Sequence, residues 1–156
     1  MSQYRFDKIR VPAELSFTQG APVAGSLFVA GSAFDHDGPE RVEELLNGRP
    51  GFLPFECADG TTALYNRAHV VVVRLGEEVQ EVQSDPGYSL AKKRRVRMLL
   101  STGESVEGIV PIYRPPGRDR LSDYSQIDEP FRYLVTPQRT LLVNTVHIVA
   151  LMETHD

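Results

Sequence analysis

The two halves of the chain carry the same residues in the same order, and this internal repeat constrains the fold more than any other feature. Two glycines around a valine and an Asn-x-x-His element each occur twice; the pairs are Gly20 with Gly103, Val23 with Val106, Gly25 with Gly108, Asn66 with Asn144, and His69 with His147. The first three pairs are 83 positions apart and the last two are 78 apart, so the first half has a longer loop between them. The shared order favours a duplication over chance similarity between two β-rich segments.

A chain of 156 residues has room for one ordinary domain or for two very small ones. The repeat predicts the second arrangement, with one unit over residues 8–76, a linker over residues 77–91 and another unit over residues 92–153. Hydrophobic residues make up 41% and charged residues 24%, values that are typical of soluble globular proteins. Since no signal peptide and no apolar run of ~18 residues is visible, we expect a cytoplasmic protein.

Alternating apolar residues predict that each unit is mainly β. In the second unit, Val96 and Met98 alternate with arginines before a turn-forming segment at residues 101–104, and a second alternating run follows the turn. This pattern predicts a β-hairpin. Gly25 and Gly108 fall inside the returning strands of the two units, where a glycine usually marks a bulge or a sharp bend.

A short helix and a second hairpin complete each predicted unit. Proline near the start and Asn-Gly at the end predict a helix of about two turns over residues 37–48, with a weaker counterpart over residues 119–127. Asp59-Gly60 predicts a tight turn between two strands. Residues 70–73 and 146–151 are apolar on both faces, which is typical of a central strand covered from both sides. The predicted order is therefore β-β-α-β-β in each unit, with the last strand either straight or bent into two.

The pattern at residues 98–110, with Thr-Gly-Glu at the turn and Val-Glu-Gly-x-Val after it, resembles the first hairpin of Sm-like small barrels. Residues 141–151, Leu-Leu-Val-Asn-Thr-Val-His-Ile-Val-Ala-Leu, are similar to the second motif of that family. The resemblance covers most of each half and implies two fused Sm-like (SH3-like) small β-barrels. A helix after the second strand differs from the Sm order, and the Sm base-stacking and Arg-Gly positions have no clear equivalents. The resemblance, which extends to bacterial proteins of this type, therefore implies a small barrel more than RNA binding, and it implies no activity.

His69 and His147 are the polar residues of most interest, because each follows an asparagine, Asn66 or Asn144, by three positions. An imidazole can bind a metal or transfer protons near neutral pH. Two histidines alone make an incomplete zinc site, and an asparagine at the start of a buried strand often fixes a turn by hydrogen bonding to its own chain. We therefore interpret these four residues as structural, with binding as the alternative.

Two other candidate sites are better explained by ordinary structural roles than by catalysis or metal binding. Cys57 is the single cysteine, so an intrachain disulfide is excluded; a nucleophilic pair with His69 is conceivable, but a buried small hydrophobic residue is the favoured interpretation. Asp35-His36-Asp37 has residue types that bind divalent cations, yet a solvated loop explains it. We therefore expect no metal and no cofactor.

The second half carries the one electrostatic feature that could mark a partner. Its basic residues include Lys92, Lys93, Arg94, Arg95, Arg97, Arg114, Arg118 and Arg120. Residues 1–83 contain 7 basic and 12 acidic residues, and residues 84–156 contain 10 and 9, so the halves carry charges of -5 and +1. Nucleic-acid-binding domains are usually strongly basic, so these charges argue against tight binding of nucleic acid. One interpretation of the basic residues is that they bind an anionic partner. The other is that Arg95 and Arg97 face water from an edge strand and discourage aggregation.

The sequence contains no phosphate-binding glycine loop, Gly-x-Ser-x-Gly, His-Glu-x-x-His or Cys-x-x-Cys motif. It therefore predicts a non-enzymatic binding or assembly module. One alternative is a nucleic-acid (RNA) binding protein that uses the basic strand and the Arg-rich loop of the second half. Another is a small enzyme with His69 or His147 as its base. We also expect a homo-oligomer, a dimer or a trimer, because a final strand with unpaired backbone groups accepts a neighbour.

Overall fold

The computed structural model describes residues 8–33, 36–84, 87–112 and 129–154 of the chain. These residues form ten strands of one antiparallel sheet. The strands are β1 (Lys8–Phe17), β2 (Val23–Ala30), β3 (Phe52–Cys57), β4 (Thr62–Asn66), β5 (Val70–Leu75), β6 (Lys92–Leu100), β7 (Ser105–Ile112), β8 (Phe131–Val135), β9 (Thr140–Asn144) and β10 (Ile148–Glu153). The predicted mainly β class is confirmed. A helix, α1 (Val42–Asn47), lies between β2 and β3, and short 3-10 helices occur at Arg67–His69, Val82–Ser84, Tyr88–Leu90 and Thr145–His147.

The strand order across the sheet is β10-β6-β7-β8-β9-β5-β1-β2-β3-β4. The strands of the first half therefore follow the order β5-β1-β2-β3-β4, and those of the second half follow β10-β6-β7-β8-β9. The last predicted strand of each half is bent into two by a 3-10 helix, so each half has five strands. Strands β5 and β9 pair with each other and join the halves; we call this junction the seam. Strands β4 and β10 lie at the two ends of the sheet and are the outer strands.

Gly25 and Gly108 lie where two strands approach each other closely. A Cβ atom at Gly25 would lie 2.1 Å from the Glu56 carbonyl oxygen, and one at Gly108 would lie 2.5 Å from the Val135 carbonyl oxygen. Real Cβ atoms do not come so close to a backbone oxygen, so only glycine fits at either position. Both halves thus use a glycine at the same step, where the second strand meets the third.

The hydrophobic core continues across the seam. One cluster of buried side chains contains Leu15, Leu27 and Phe55 of the first half together with Phe131 and Leu142 of the second half. The other cluster consists mainly of side chains of the second half, and it also includes Val71 and Val72 of β5. Full burial of such a side chain contributes about 1.5–3 kcal/mol, so the seam is a substantial hydrophobic interface.

The two strands predicted to be central differ in their environment. Residues 70–73 are fully buried in β5, between β1 and β9, so that prediction is confirmed. The prediction for residues 146–151 is wrong, because β10 is an outer strand and Val146 and Val149 are exposed. In the described part of the chain, no strand lies on the other side of β10. The same kind of sequence therefore meets a neighbour in one half and lacks one in the other.

The strand that carries the basic run is an interior strand. β6 lies between β10 and β7, so the interpretation that Arg95 and Arg97 face water from an edge strand is wrong about the edge. Both side chains are nevertheless exposed. They project from the surface of the sheet, where they cannot protect an open edge.

The helix has about the predicted two turns but begins later, at Val42, and the segment between the halves holds its start. α1 covers six residues, and its first N–H group, that of Val42, donates to the Glu81 carboxylate at 2.5 Å. Glu81 and the neighbouring Val82 are buried, so part of the predicted linker packs against the first half. The division into units over residues 8–76 and 92–153 stays a prediction. The counterpart helix at residues 119–127 lies outside the described residues.

In the part of the chain that the structure describes, no helix combines the length and the apolar character that crossing a membrane requires.

Candidate functional site

The paired asparagines begin the 3-10 helices that separate the last two strands of each half. The Oδ1 atom of Asn66 accepts a hydrogen bond from the Ala68 N–H at 3.0 Å, and that of Asn144 accepts one from the Val146 N–H at 3.2 Å. Only Asn144 also crosses the seam, since its Nδ2 donates to the Val70 carbonyl at 3.0 Å. Asn144 is buried and Asn66 is exposed. The same side chain therefore fixes a turn in both halves and joins the halves in one of them.

The paired histidines differ in the same way. The Nδ1 atom of His147 lies 3.1 Å from the Ser101 hydroxyl, and that of His69 lies 3.2 Å from the Thr18 hydroxyl. The Nε2 atom of His147 is 2.7 Å from the Ala68 carbonyl across the seam. A carbonyl can only accept, so this nitrogen carries a proton. Binding or catalysis by the four Asn and His residues stays a prediction.

The outer strands, together with the neighbouring β3, expose apolar side chains whose counterparts at the seam are buried. Phe52 and Leu64 are 61% and 63% exposed on β3 and β4, whereas their counterparts in the second half, Phe131 and Leu142, are buried. On the other outer strand Val149 is 65% exposed, and its counterpart Val71 is buried. Each of these exposed apolar side chains corresponds to one that packs against the other half at the seam. The sequence interpretation missed this contrast, because it needs the strand order.

Several side chains of the basic run have partners within the chain. Lys93 Nζ donates to the Tyr88 carbonyl at 2.8 Å and lies 4.5 Å from the centre of the Tyr88 ring. Arg94 pairs with Glu153 at 3.4 Å, and Arg97 lies 3.9 Å from Glu107. Lys92 and Arg95 are exposed. Arg114, Arg118 and Arg120 lie outside the described residues, and an anionic partner for the basic run stays a prediction.

The remaining candidates have ordinary local contacts. Cys57 is half-buried, and its Sγ atom lies 3.8 Å from the Tyr65 hydroxyl. His36 Nε2 pairs with Glu44 at 2.7 Å, and this hydrogen bond raises the pKa of His36. Asp35 lies outside the described ranges. Among the residues that the structure does describe, no three His, Cys, Asp or Glu side chains are grouped closely enough to hold a metal ion.

Two seam residues were missed because their partners are distant in the sequence. The Asn47 side chain at the end of α1 donates to the Phe131 carbonyl at 2.9 Å and accepts from the Phe131 N–H at 2.8 Å. The buried Arg67 guanidinium donates to the carbonyls of Phe52 at 2.7 Å and Leu45 at 3.2 Å. The Asn-Gly pair signalled only a helix end, and no pattern signalled that Arg67 would be buried.

An acidic pair lies at the start of α1. Burial raises the pKa of Glu81 to about 7, although its hydrogen bond from Val42 acts in the opposite direction. Burial also raises the pKa of Glu43 to about 7, and the charge of Glu129 adds to this effect. Both carboxyl groups thus retain protons at a pH where exposed glutamates are ionised. The beginning of α1 depends on groups that titrate near neutral pH.

We expect the folded state to lose stability as the pH rises. A carboxyl group whose pKa is raised on folding stabilises the folded state. This stabilisation is fully present below a pH of about 4.5 and is lost as the pH rises through about 7. Glu81→Gln keeps an oxygen that can accept from Val42 but removes the charge. It should therefore raise the free energy of unfolding at pH 8 by about 2 kcal/mol, with little effect at pH 4.5.

Urea unfolding of the wild type and the variant between pH 4.5 and 8 measures this difference. Glu78→Gln is the matched control, since Glu78 is exposed in the same segment. Parallel pH profiles for the wild type and Glu81→Gln would contradict the prediction.

Comparison of the chain with protein-family models, with curated proteins and with solved structures finds no match.

Proposed function

We propose that the protein is a non-enzymatic, cytoplasmic assembly module of two fused Sm-like small barrels whose copies join through their outer strands. The observation that carries the proposal is the contrast between the seam and the outer strands. At the seam, β5 of one half pairs with β9 of the other. The strands that correspond to them, β10 and β4, have exposed apolar side chains and lie at the ends of the sheet.

Agreement between the halves supports the duplication on which the proposal rests. The strands of both halves follow one order, and the glycine in the second strand allows the same close approach in each. A hydroxyl group of the first hairpin contacts the paired histidine in both halves. Because these features are shared, a contact made by one half can be transferred to the other.

The seam gives the register of the proposed contact between chains. At the seam, Val72 is opposite Val143, Val73 is opposite Leu142, and Arg74 is opposite Leu141. Moving each residue by the offset of the repeat predicts three opposed pairs between chains: Ala150 with Tyr65, Leu151 with Leu64, and Met152 with Ala63. This pairing would cover the exposed side chain of Leu64 and satisfy unpaired backbone groups of both strands.

Polar contacts transfer in the same way. Asn144 donates to the Val70 carbonyl across the seam, so Asn66 should donate to the Ile148 carbonyl of the next chain. His147 Nε2 contacts the Ala68 carbonyl, so His69 should contact the Val146 carbonyl of the next chain. The Asn-x-x-His element would then have one role in both halves, which is to join barrels.

Association of this kind is head to tail. Strand β4 of one chain meets β10 of the next, and the two surfaces differ, so the contact generates a ring if it closes and a filament if it does not. We propose closure with two or three chains, which places four or six barrels in the ring. Open filaments would leave the same apolar edge exposed at their ends.

A disulfide between chains tests the register. In a Cys57→Ala background, Leu64→Cys and Leu151→Cys place one thiol on each outer strand, and these strands lie at opposite ends of the sheet of a single chain. Mild oxidation should give covalent oligomers in a denaturing gel, in a ladder that ends at the number of chains in the ring. The control pairs Leu64→Cys with Met152→Cys, since neighbouring residues of a strand point to opposite faces.

Two results would overturn the proposal. The first is a constant mass of 17.4 kDa for the wild type across micromolar concentrations. The second is equally efficient cross-linking of the Leu151 and Met152 variants, which would indicate random collision of chains.

A further inference from the structure

A cavity of about 440 Å³ lies at the seam, between the two halves; we call it the seam pocket. The first half contributes the end of α1, residues 48–51 and the 3-10 helix at Arg67–His69. The second half contributes Pro130, Phe131 and Val146. The volume falls within the range of ~300–1,000 Å³ that is usual for small-molecule sites.

Hydrogen bonds fix the backbone of both walls of the seam pocket. Asn47 makes two hydrogen bonds with the backbone of Phe131 across the seam. The Thr145 N–H donates to the Pro130 carbonyl at 2.7 Å, and the Arg67 N–H donates to the Gly51 carbonyl at 2.9 Å. The first pair of bonds links the two halves, and the other two bonds each hold the backbone within one wall. A ligand would therefore bind to a site that is already formed, which lowers the entropic cost of binding.

Among the described residues that line the seam pocket, two are ionisable, and both are positively charged. They are Arg49 and Arg67. Neither makes an ion pair with a carboxylate of the described residues, and the buried Nε atom of Arg67 has no hydrogen-bond partner there. Arg49 is exposed. Two guanidinium groups in one pocket, without an ion-pair partner in the described part of the chain, favour an anion, although the chain as a whole has a net charge of -4.

Mutual repulsion supports this assignment. Burial and the charge of Arg49 both lower the pKa of the Arg67 guanidinium. An anion placed beside Arg49 would relieve that repulsion. Arg67 itself is held by the carbonyls of Phe52 and Leu45, so it contributes charge from a fixed position.

The rest of the lining is mainly apolar. Pro50, Pro130 and Val146 are exposed lining residues, and Leu46 and Phe131 line the pocket from buried positions. An inorganic anion would use the arginines but leave this carbon surface wet. A molecule with an apolar body and a single anionic group uses both parts.

We propose that the seam pocket binds a molecule with an apolar body and one carboxylate or phosphate group, with one such ligand for each chain. The corresponding positions in the second half hold Thr145 in place of Arg67 and Asp128 in place of Arg49, so the equivalent place at a junction between chains would have no arginine at these two positions. The seam pocket lies within one chain. The inference therefore stands independently of the assembly proposed above.

Fluorescence titration with 1-anilinonaphthalene-8-sulfonate tests the proposal. This probe has an aromatic body and one anionic group, and N-phenyl-1-naphthylamine is the same skeleton without the charge. We expect saturable binding of one sulfonate probe per chain with a dissociation constant of ~20 µM, which is usual for a ligand of this size. The uncharged probe should bind at least ~10-fold more weakly. Competition by benzoate and by phenyl phosphate then identifies which anionic group the pocket prefers.

Variants separate the seam pocket from other apolar surfaces. Arg49→Gln should weaken binding of the sulfonate probe at least ~10-fold, because it removes a charged hydrogen-bond donor. It should also raise the thermal unfolding midpoint of the free protein, since Arg67 loses a repulsive neighbour. Arg10→Gln, an exposed arginine away from the pocket, is the matched control and should bind like the wild type. Leu64→Asp should also bind normally, since Leu64 lies on an outer strand.

Four results would overturn the inference. The first three are equal binding of the charged and uncharged probes, unchanged affinity in Arg49→Gln, and failure of both benzoate and phenyl phosphate at 10 mM to displace the probe. The fourth is a loss of probe binding in Leu64→Asp, since the probe would then report on the outer strands.

Discussion

Leu64→Asp is expected to remain a folded single chain of 17.4 kDa at concentrations where the wild type is an oligomer. Leu64 is exposed in the single chain, so the substitution should change the free energy of unfolding by less than about 0.5 kcal/mol. In the proposed contact the same side chain is covered by β10 of the next chain. A carboxylate there would have to be buried without a partner, which should weaken association at least ~30-fold. Light scattering coupled to size-exclusion chromatography measures the mass directly.

Two variants bracket this result. Leu90→Asp changes a leucine that is more exposed than Leu64 but lies in a 3-10 helix away from the outer strands, so it should leave the oligomer intact. Leu142→Asp changes the buried counterpart of Leu64 at the seam, and it should prevent folding. An oligomer that survives Leu64→Asp would show that the chains associate through some other surface.

Asn144→Ala should cost much more stability than Asn66→Ala, although the two residues occupy the same place in their halves. Asn144 is buried, and its side chain bonds to Val146 and to Val70 across the seam. Removing it leaves the buried Val70 carbonyl and the Val146 N–H without these partners, so we expect a loss of about 3 kcal/mol. Asn66 is exposed and makes only the bond from Ala68, so its loss should cost about 0.5–1 kcal/mol.

Urea unfolding in the Leu64→Asp background measures both effects without a contribution from association. In the wild-type background, Asn66→Ala should in addition weaken the oligomer, since Asn66 is proposed to bond to the next chain. Equal losses of stability for the two variants would indicate that the cross-seam bond of Asn144 adds nothing.

The strands were predictable where the residues themselves specify them. Residues 70–73 are apolar on both faces and are buried, and Asp59-Gly60 forms the turn where the pattern placed it. Residues 146–151 have the same character, yet β10 is exposed on one side. The sequence of a strand indicates whether its side chains are suited to a buried or an exposed position. Whether a neighbour is present depends on strand order, which local patterns do not contain.

The candidate site was predictable only in part, for a related reason. Asn66, Asn144 and the two histidines were found because they recur. Asn47, Arg67 and Glu81 occur once, and the seam contact of Asn47 and the α1 contact of Glu81 join residues that are 84 and 39 positions apart. Such contacts become visible only when the fold brings the segments together.

The covalent link between the two halves has a consequence for the symmetry and the dilution of the proposed assembly. The seam forms at any protein concentration, whereas junctions between chains obey mass action. Dilution should therefore yield paired halves and never single ones. In a closed ring the two kinds of junction would alternate, so that the rotational symmetry equals the number of chains and is half the number of repeat units. Any property confined to the seam, including its two arginines, would then recur at every second junction around the ring.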